Sequence, residues 1–249
     1  MSDRTRGFSL IEISIVIIII GLIAGGIMNG RSLIRNVERQ RIIDSKNQLM
    51  SEINIFHARY GQWPGDFDNH TGALPGAVGG DNNGIISYTD GGAGNLWGEV
   101  NNVYVHLSLA GLMGGSYSTA ALHISSGNFS WNIGTDAPST PQPMTVFWVG
   151  SHSNSMYGRA PLTTNIIMLT GPDMRQGALR LDDAMSMDYK YDDGVADTGT
   201  VRSYRPWGGV AGGNNCVDHV ATNATANYLS PASAPVSTLQ DCVVELGTF

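Results

Sequence analysis

The sequence predicts an α+β protein: a long N-terminal helix, its first half membrane-spanning, packed on a strand-rich antiparallel-sheet head with long loops. Three observations carry this. Residues 8–30 form an apolar run whose single charge is Glu12. Ile42, Leu49, Ile53 and Phe56 follow at spacings of seven, four and three, which places them on one face of a helix. From residue 60 onward, short apolar stretches alternate with clusters of Gly, Asn, Asp and Ser, the texture of strands joined by turns.

In the first element, residues 13–30 carry no charge over eighteen positions, enough for a helix to cross a bilayer. Ala24 to Gly26 imitate the small-residue cleavage site of a secretory signal, but such a signal has a shorter apolar region. Glu12 lies inside the run, and a carboxylate in hydrocarbon is costly unless paired or protonated, which marks it as a functional residue. A positive charge at the same depth is its cheapest partner. Cleavage after Gly7 creates one, the new amino group of Phe8, on a neighbouring copy of the chain. Beyond Gly30 the helix continues over residues 31–59, with Arg31, Arg35, Arg39, Arg41, Asp44 and Lys46 among the polar positions, until Gly61 and Pro64 stop it. Arg4 and Arg6 flank one end of the apolar run and Arg31 and Arg35 the other, so charge bias leaves the orientation open.

The head, residues 60–249, presents strand candidates at 144–149, 166–169 and 242–246; residues 103–112 suit a strand or a short helix. No long amphipathic run is visible. Residues 1–59 hold eight Lys/Arg against five Asp/Glu, whereas the head holds six against sixteen. Such an acidic body suits cations and is a poor holder of phosphates, so no specific nucleic-acid site is expected. Two stretches concentrate carboxylates. In the first, Tyr60-Gly61-Gln62-Trp63-Pro64-Gly65-Asp66-Phe67-Asp68 precedes Gly80-Asp81-Asn82-Asn83-Gly84-Ile85; in the second, Asp188 to Gly194 are followed by Asp197 and Gly199. Asp81, Asn83 and Gly84 partly match a calcium loop, yet the third acidic position and the closing glutamate are missing. Asp-Gly and Asn-Gly pairs also make plain hairpin turns. No phosphate-binding GxxxxGK[ST], HExxH or GxSxG motif occurs, and the six histidines are scattered singly, so an enzyme is not expected.

The string Arg6-Gly7-Phe8-Ser9-Leu10-Ile11-Glu12 resembles the prepilin signature of type IV pilins and type II secretion pseudopilins. The resemblance implies that residues 1–7 are a leader, cut between Gly7 and Phe8 by a membrane-embedded prepilin peptidase that also N-methylates Phe8. It implies that Glu12 neutralises the amino terminus of an adjacent subunit, and that residues 8–30 serve as membrane anchor and then as filament core. The expected partners are further copies of the chain in a helical filament, the peptidase, the inner-membrane assembly platform, and the membrane before assembly. Many pilins carry a proline late in this helix; here Asn29 stands in that region. Gly21, Gly25, Gly26 and Gly30 weaken the helix instead, each by about 1 kcal/mol relative to alanine, so it is expected to loosen there in a filament.

Pseudopilins are also known for a calcium site in a carboxy-terminal loop. Carried over, this makes Asp188, Asp192, Asp193 and Asp197 one set of ligand candidates and Asp81 with Asn83 a second. Cys216 and Cys242 are the only cysteines; by residue type alone they are either bridged or two buried thiols. Type IV pilins staple a carboxy-terminal loop with one disulfide, which implies the bridge and a body outside the cytoplasm. The expected function is a structural subunit of a type IV pilus-like extracellular filament. The alternatives are a pseudopilin of a periplasmic pseudopilus, or a membrane-anchored protein that binds calcium or glycans and keeps its leader. Localisation follows as inner membrane first, then filament.

Overall fold

The structure is a computed structural model that describes residues 9–69, 72–87, 98–118, 131–151, 164–172, 176–204, 216–217, 227–229 and 242–249. The elements run α1 (Leu10–Tyr60), α2 (Gly98–Leu109), β1 (Val146–Gly150), β2 (Ile166–Thr170), α3 (Leu181–Tyr191), β3 (Arg202–Tyr204) and β4 (Val243–Thr248). The chain divides into two units, Met1–Gln40 and Arg41–Phe249.

The first unit contains the start of α1. Its Leu10–Ile27 stretch has a mean hydropathy of 2.7 and none of it is buried, so this helix is long and apolar enough to cross a membrane. The single chain keeps α1 continuous through Gly21, Gly25, Gly26 and Gly30.

The second unit begins inside α1. Ile42, Leu49, Ile53 and Phe56, at most 4% exposed, form the stripe that the spacing predicted. Phe56 meets the Phe67 ring edge-on at 5.7 Å and stacks on His106 at 6.0 Å. The helix ends at Gly61, whose φ of +74° places it in the left-handed region and whose N–H donates to the His57 carbonyl.

The sheet is four-stranded and antiparallel, in the order β1-β2-β4-β3, with a register irregularity between Ile166 and Met168 where β2 meets β4. Every residue of β1 and β2 is buried. Both faces of these strands are therefore covered, which is why they read as unbroken apolar runs rather than as alternation. Residues 98–109 settle the strand-or-helix ambiguity as α2: Val100, Val103, Tyr104 and Leu107 are buried at helical spacing. The Tyr104 hydroxyl donates to the Phe147 carbonyl on the outer edge of β1, so the side chain satisfies a group that an edge strand leaves open.

Two elements had no counterpart in the sequence reading. α3 is largely polar, burying only Ala184, Met187 and Asp188, too few apolar positions to mark an amphipathic run. β3 is three residues long and exists through its pairing with β4. Cys216 and Cys242 are bonded to each other, with Cα atoms 5.2 Å apart, and Cys242, immediately before β4, also pairs with Leu179. The disulfide thus ties the 216–217 segment to the sheet. Trp131 and Trp148 are core residues, whereas Trp63 is half-buried against His57 and Phe249. Trp97 and Trp207 lie outside the described residues.

Candidate functional site

At the amino end, Ser9 immediately precedes α1 and Glu12 stands three residues later. The Ser9 N–H donates to Glu12 Oε2 at 2.8 Å, and the Ser9 hydroxyl oxygen accepts from the Ile11 N–H at 3.3 Å. Two amides at the helix start are thereby satisfied: the glutamate contact is that of a capping box, while the serine hydroxyl takes the second helical amide rather than the third. Glu12 thus has a local role beside any intermolecular one. The Ser-x-x-Glu spacing of residues 9 and 12 is the signal in the sequence for that local role. Gly7 and Phe8 lie outside the described residues.

In the head, the first acidic stretch folds onto itself. Asp66 is 1% exposed, and its two carboxylate oxygens accept from the Asn83 and Gly84 N–H groups at 2.9 Å each. From the other side, Glu99 at the start of α2 accepts from the Asp81 N–H at 2.9 Å and the Ser87 N–H at 2.8 Å. Two carboxylates 33 positions apart therefore staple one loop through its backbone. Gly65 is required where they meet. Its φ is +98°, and a Cβ there would lie 2.6 Å from the Glu99 carbonyl oxygen. Carboxylate oxygens of Asp66, Asp81 and Glu99 lie within 4.8 Å of one another. Burial pushes Asp66 up to about 6, against the two N–H bonds, and the neighbouring Asp81 adds to the rise. The Asn83 side-chain amide donates to Asp81 and its oxygen accepts from the Ile85 N–H. Asp66 stood in the stretch singled out by sequence but outside the ligand set. Glu99 had no sequence signal, because its role depends on a contact made only by folding.

His106 locks the same loop system. It is fully buried; Nδ1 accepts from the Gly65 N–H at 2.9 Å and Nε2 lies 2.8 Å from the Val78 carbonyl. An N–H donor on one side and a carbonyl on the other fix a neutral ring with its proton on Nε2. Burial lowers its pKa to about 4.

The second acidic stretch lies at the end of α3 and in the turn after it. Oxygens of Asp188, Asp192 and Asp193 lie within 4.8 Å of one another; Asp197 falls outside that group. Asp188 is fully buried, accepting from the Tyr228 hydroxyl at 2.8 Å and the Gly194 N–H at 2.9 Å. Asp192 accepts from the Thr200 and Val201 N–H groups, and Asp193 from the Val195 N–H and the Thr198 hydroxyl. Gly199, at φ +73°, is the residue the turn needs, since a Cβ there would collide with the Asp192 carboxylate. Burial pushes Asp188 up, opposed by its two hydrogen bonds and reinforced by its acidic neighbours. The Thr198 and Val195 donors hold Asp193 down. Three carboxylates at this separation fit part of the oxygen shell that calcium takes, while the turn already uses one or both oxygens of each.

Residues 2–28 match the prokaryotic N-terminal methylation motif, the prepilin signature of type IV pilins and pseudopilins. No curated protein and no solved structure matches the chain.

Proposed function

We propose, from the premise that this chain carries a prepilin-type signature on a helix of membrane-spanning length, that it is a structural subunit of a type IV pilus-like extracellular filament. The observation that carries this reading is the methylation motif running into Leu10–Ile27, a helix of which nothing is buried within the chain itself. Prepilin peptidase removes residues 1–7 and methylates Phe8. The helix holds the subunit in the inner membrane until the assembly platform draws it into the polymer, where apolar faces of neighbouring copies cover one another. Glu12 pairs with the Phe8 amino group of an adjacent copy. A subunit out of register leaves a charge buried and unpaired, so the pair sets the axial step. The role is structural rather than enzymatic.

A second reading, a pseudopilus subunit that stays in the periplasm, is favoured by the Asp188, Asp192 and Asp193 group, which we propose holds calcium. Shearing intact cells and sequencing the released protein by mass spectrometry separates the readings. Abundant peptides beginning at N-methylated Phe8 in the sheared fraction are expected. The same peptides confined to the membrane fraction identify the pseudopilus subunit. A retained leader refutes both and leaves a membrane-anchored binding protein.

A further inference from the structure

The Arg41–Phe249 unit holds a cavity of about 260 Å³, apart from the motif and from the acidic loops. Gln48, Leu49 and Glu52 of α1 form one wall; Met113 and Tyr117 come from the segment after α2, and Phe147 from β1. Glu52 is 8% exposed. Its Oε1 accepts from the Gln48 amide at 3.0 Å, while its Oε2 is buried with no hydrogen-bond partner. Burial pushes this carboxyl up, against the Gln48 bond. The charge of the same carboxylate acts on Tyr117, whose phenol is raised by burial and then by Glu52, while its hydroxyl donates to the Gly114 carbonyl at 3.1 Å. Among the described residues, no lysine, arginine or histidine lines the cavity.

We propose that this cavity binds an organic cation, a primary ammonium or a guanidinium, with Glu52 as its counter-ion and the Tyr117 and Phe147 rings as walls. A buried carboxylate with one oxygen lacking a donor keeps its charge poorly compensated, and a cation at the cavity wall is the group that offsets that charge most strongly. Aromatic faces attract the same charge, and Leu49 and Met113 accommodate a short aliphatic stem. The volume limits the ligand to the size of one amino-acid side chain or a small free amine. The cation comes either from solution or from a Lys or Arg of a second copy of the chain. The site stands apart from the filament reading and survives its failure.

The test is calorimetric titration of the full chain in a non-ionic detergent with n-butylammonium and butylguanidinium, using n-butanol as the uncharged counterpart. Saturable binding of either cation is expected, at least tenfold weaker in Glu52→Gln and absent for n-butanol. Ser139→Lys, an exposed lining position, places a tethered ammonium beside the cavity. It is expected to block both ligands while the melting temperature stays at or above wild type, which guards against loss by misfolding. The source shows in sedimentation of self-associated protein. Dispersal by butylguanidinium identifies a side chain of a second copy, and unchanged association with retained binding identifies a free amine. No saturable binding of either cation, or equal affinity in Glu52→Gln, overturns the proposal.

Discussion

Alanine at position 12 removes two things at once, the charge proposed to pair with a neighbouring amino terminus and the acceptor that caps α1 through the Ser9 amide. Loss of such a cap costs about 1 kcal/mol, enough to fray the first turn without unfolding a 51-residue helix. Glutamine keeps an oxygen for the Ser9 N–H and discards the charge. If the charge sets register, Glu12→Gln and Glu12→Ala are both cleaved after Gly7 and both lose filament yield, while only the alanine variant loses helicity at its start. Filament recovery by shearing, together with amide hydrogen exchange at residues 11–13 in detergent, reads the two effects separately. Wild-type filament yield from Glu12→Gln would leave capping as the residue's whole role. Glu12 was conspicuous in the sequence because one charge in an apolar run needs a reason. Ser9 was not, because its contribution appears only once the helix start is fixed.

The elements differ in how visible they were, and the reason is burial. β1 and β2 announced themselves as apolar runs because they are buried throughout, and β4 did so through Val243, Val244 and Leu246 despite the buried Glu245 between them. α3 did not, since its buried face includes Asp188, and a buried carboxylate reads as a surface residue until its partners are known. Those partners make the turn after α3 the element on which the calcium proposal stands or falls. Asp188 is pushed up by burial and by Asp192 and Asp193, so a divalent cation there relieves repulsion that the fold otherwise bears. Calcium at about ten times its dissociation constant should stabilise by roughly 1.4 kcal/mol, a rise of roughly 3–5 °C in melting temperature for a body of this size. Magnesium should do less, because it gives up its water shell reluctantly. An unchanged melting curve in millimolar calcium, or the same rise in Asp188→Asn, refutes the site. The disulfide allows a second test at this scale. It closes a 26-position span, so Cys216→Ser should cost about 3–4 kcal/mol in denaturant unfolding. Cys242→Ser and the double variant should lose the same amount, since all three break one bond.

Across the whole molecule, what the sequence could not disclose is pairing over distance. The PGD and GDNNG segments were legible as acidic loops, but nothing local says that Asp66 and Glu99 grip the same stretch of backbone or that His106 bridges Gly65 and Val78 beside it. Folding these groups together gives them opposite dependences on pH within one window. His106 is held neutral, its pKa lowered from 6.5 to about 4. As pH falls through that interval the unfolded chain takes up a proton that the folded chain refuses, so stability is lost, by at most about 3 kcal/mol. Asp66 is raised from 3.8 to about 6. Here the folded chain takes up the proton first, so stability is gained as pH falls from 6 toward 4 and lost as it rises. Glu52 and Asp188, also raised, act in the direction of Asp66. The His106 and Asp66 contributions therefore oppose one another between pH 4 and 6.5, and the wild-type slope should lie between those of variants that lack one or the other. His106→Gln retains an acceptor for Gly65 and a donor for Val78 but cannot titrate, and its stability should rise on acidification across this range. Asp66→Asn should change the slope in the reverse direction, gaining less or losing more than wild type as pH falls from 6.5 to 4. Denaturant unfolding followed by tryptophan fluorescence at half-unit pH steps gives the slopes directly. Slopes are the relevant quantity, because both substitutions also lower stability at every pH. Parallel profiles for wild type and His106→Gln would show that the buried imidazole does not govern the acid limb.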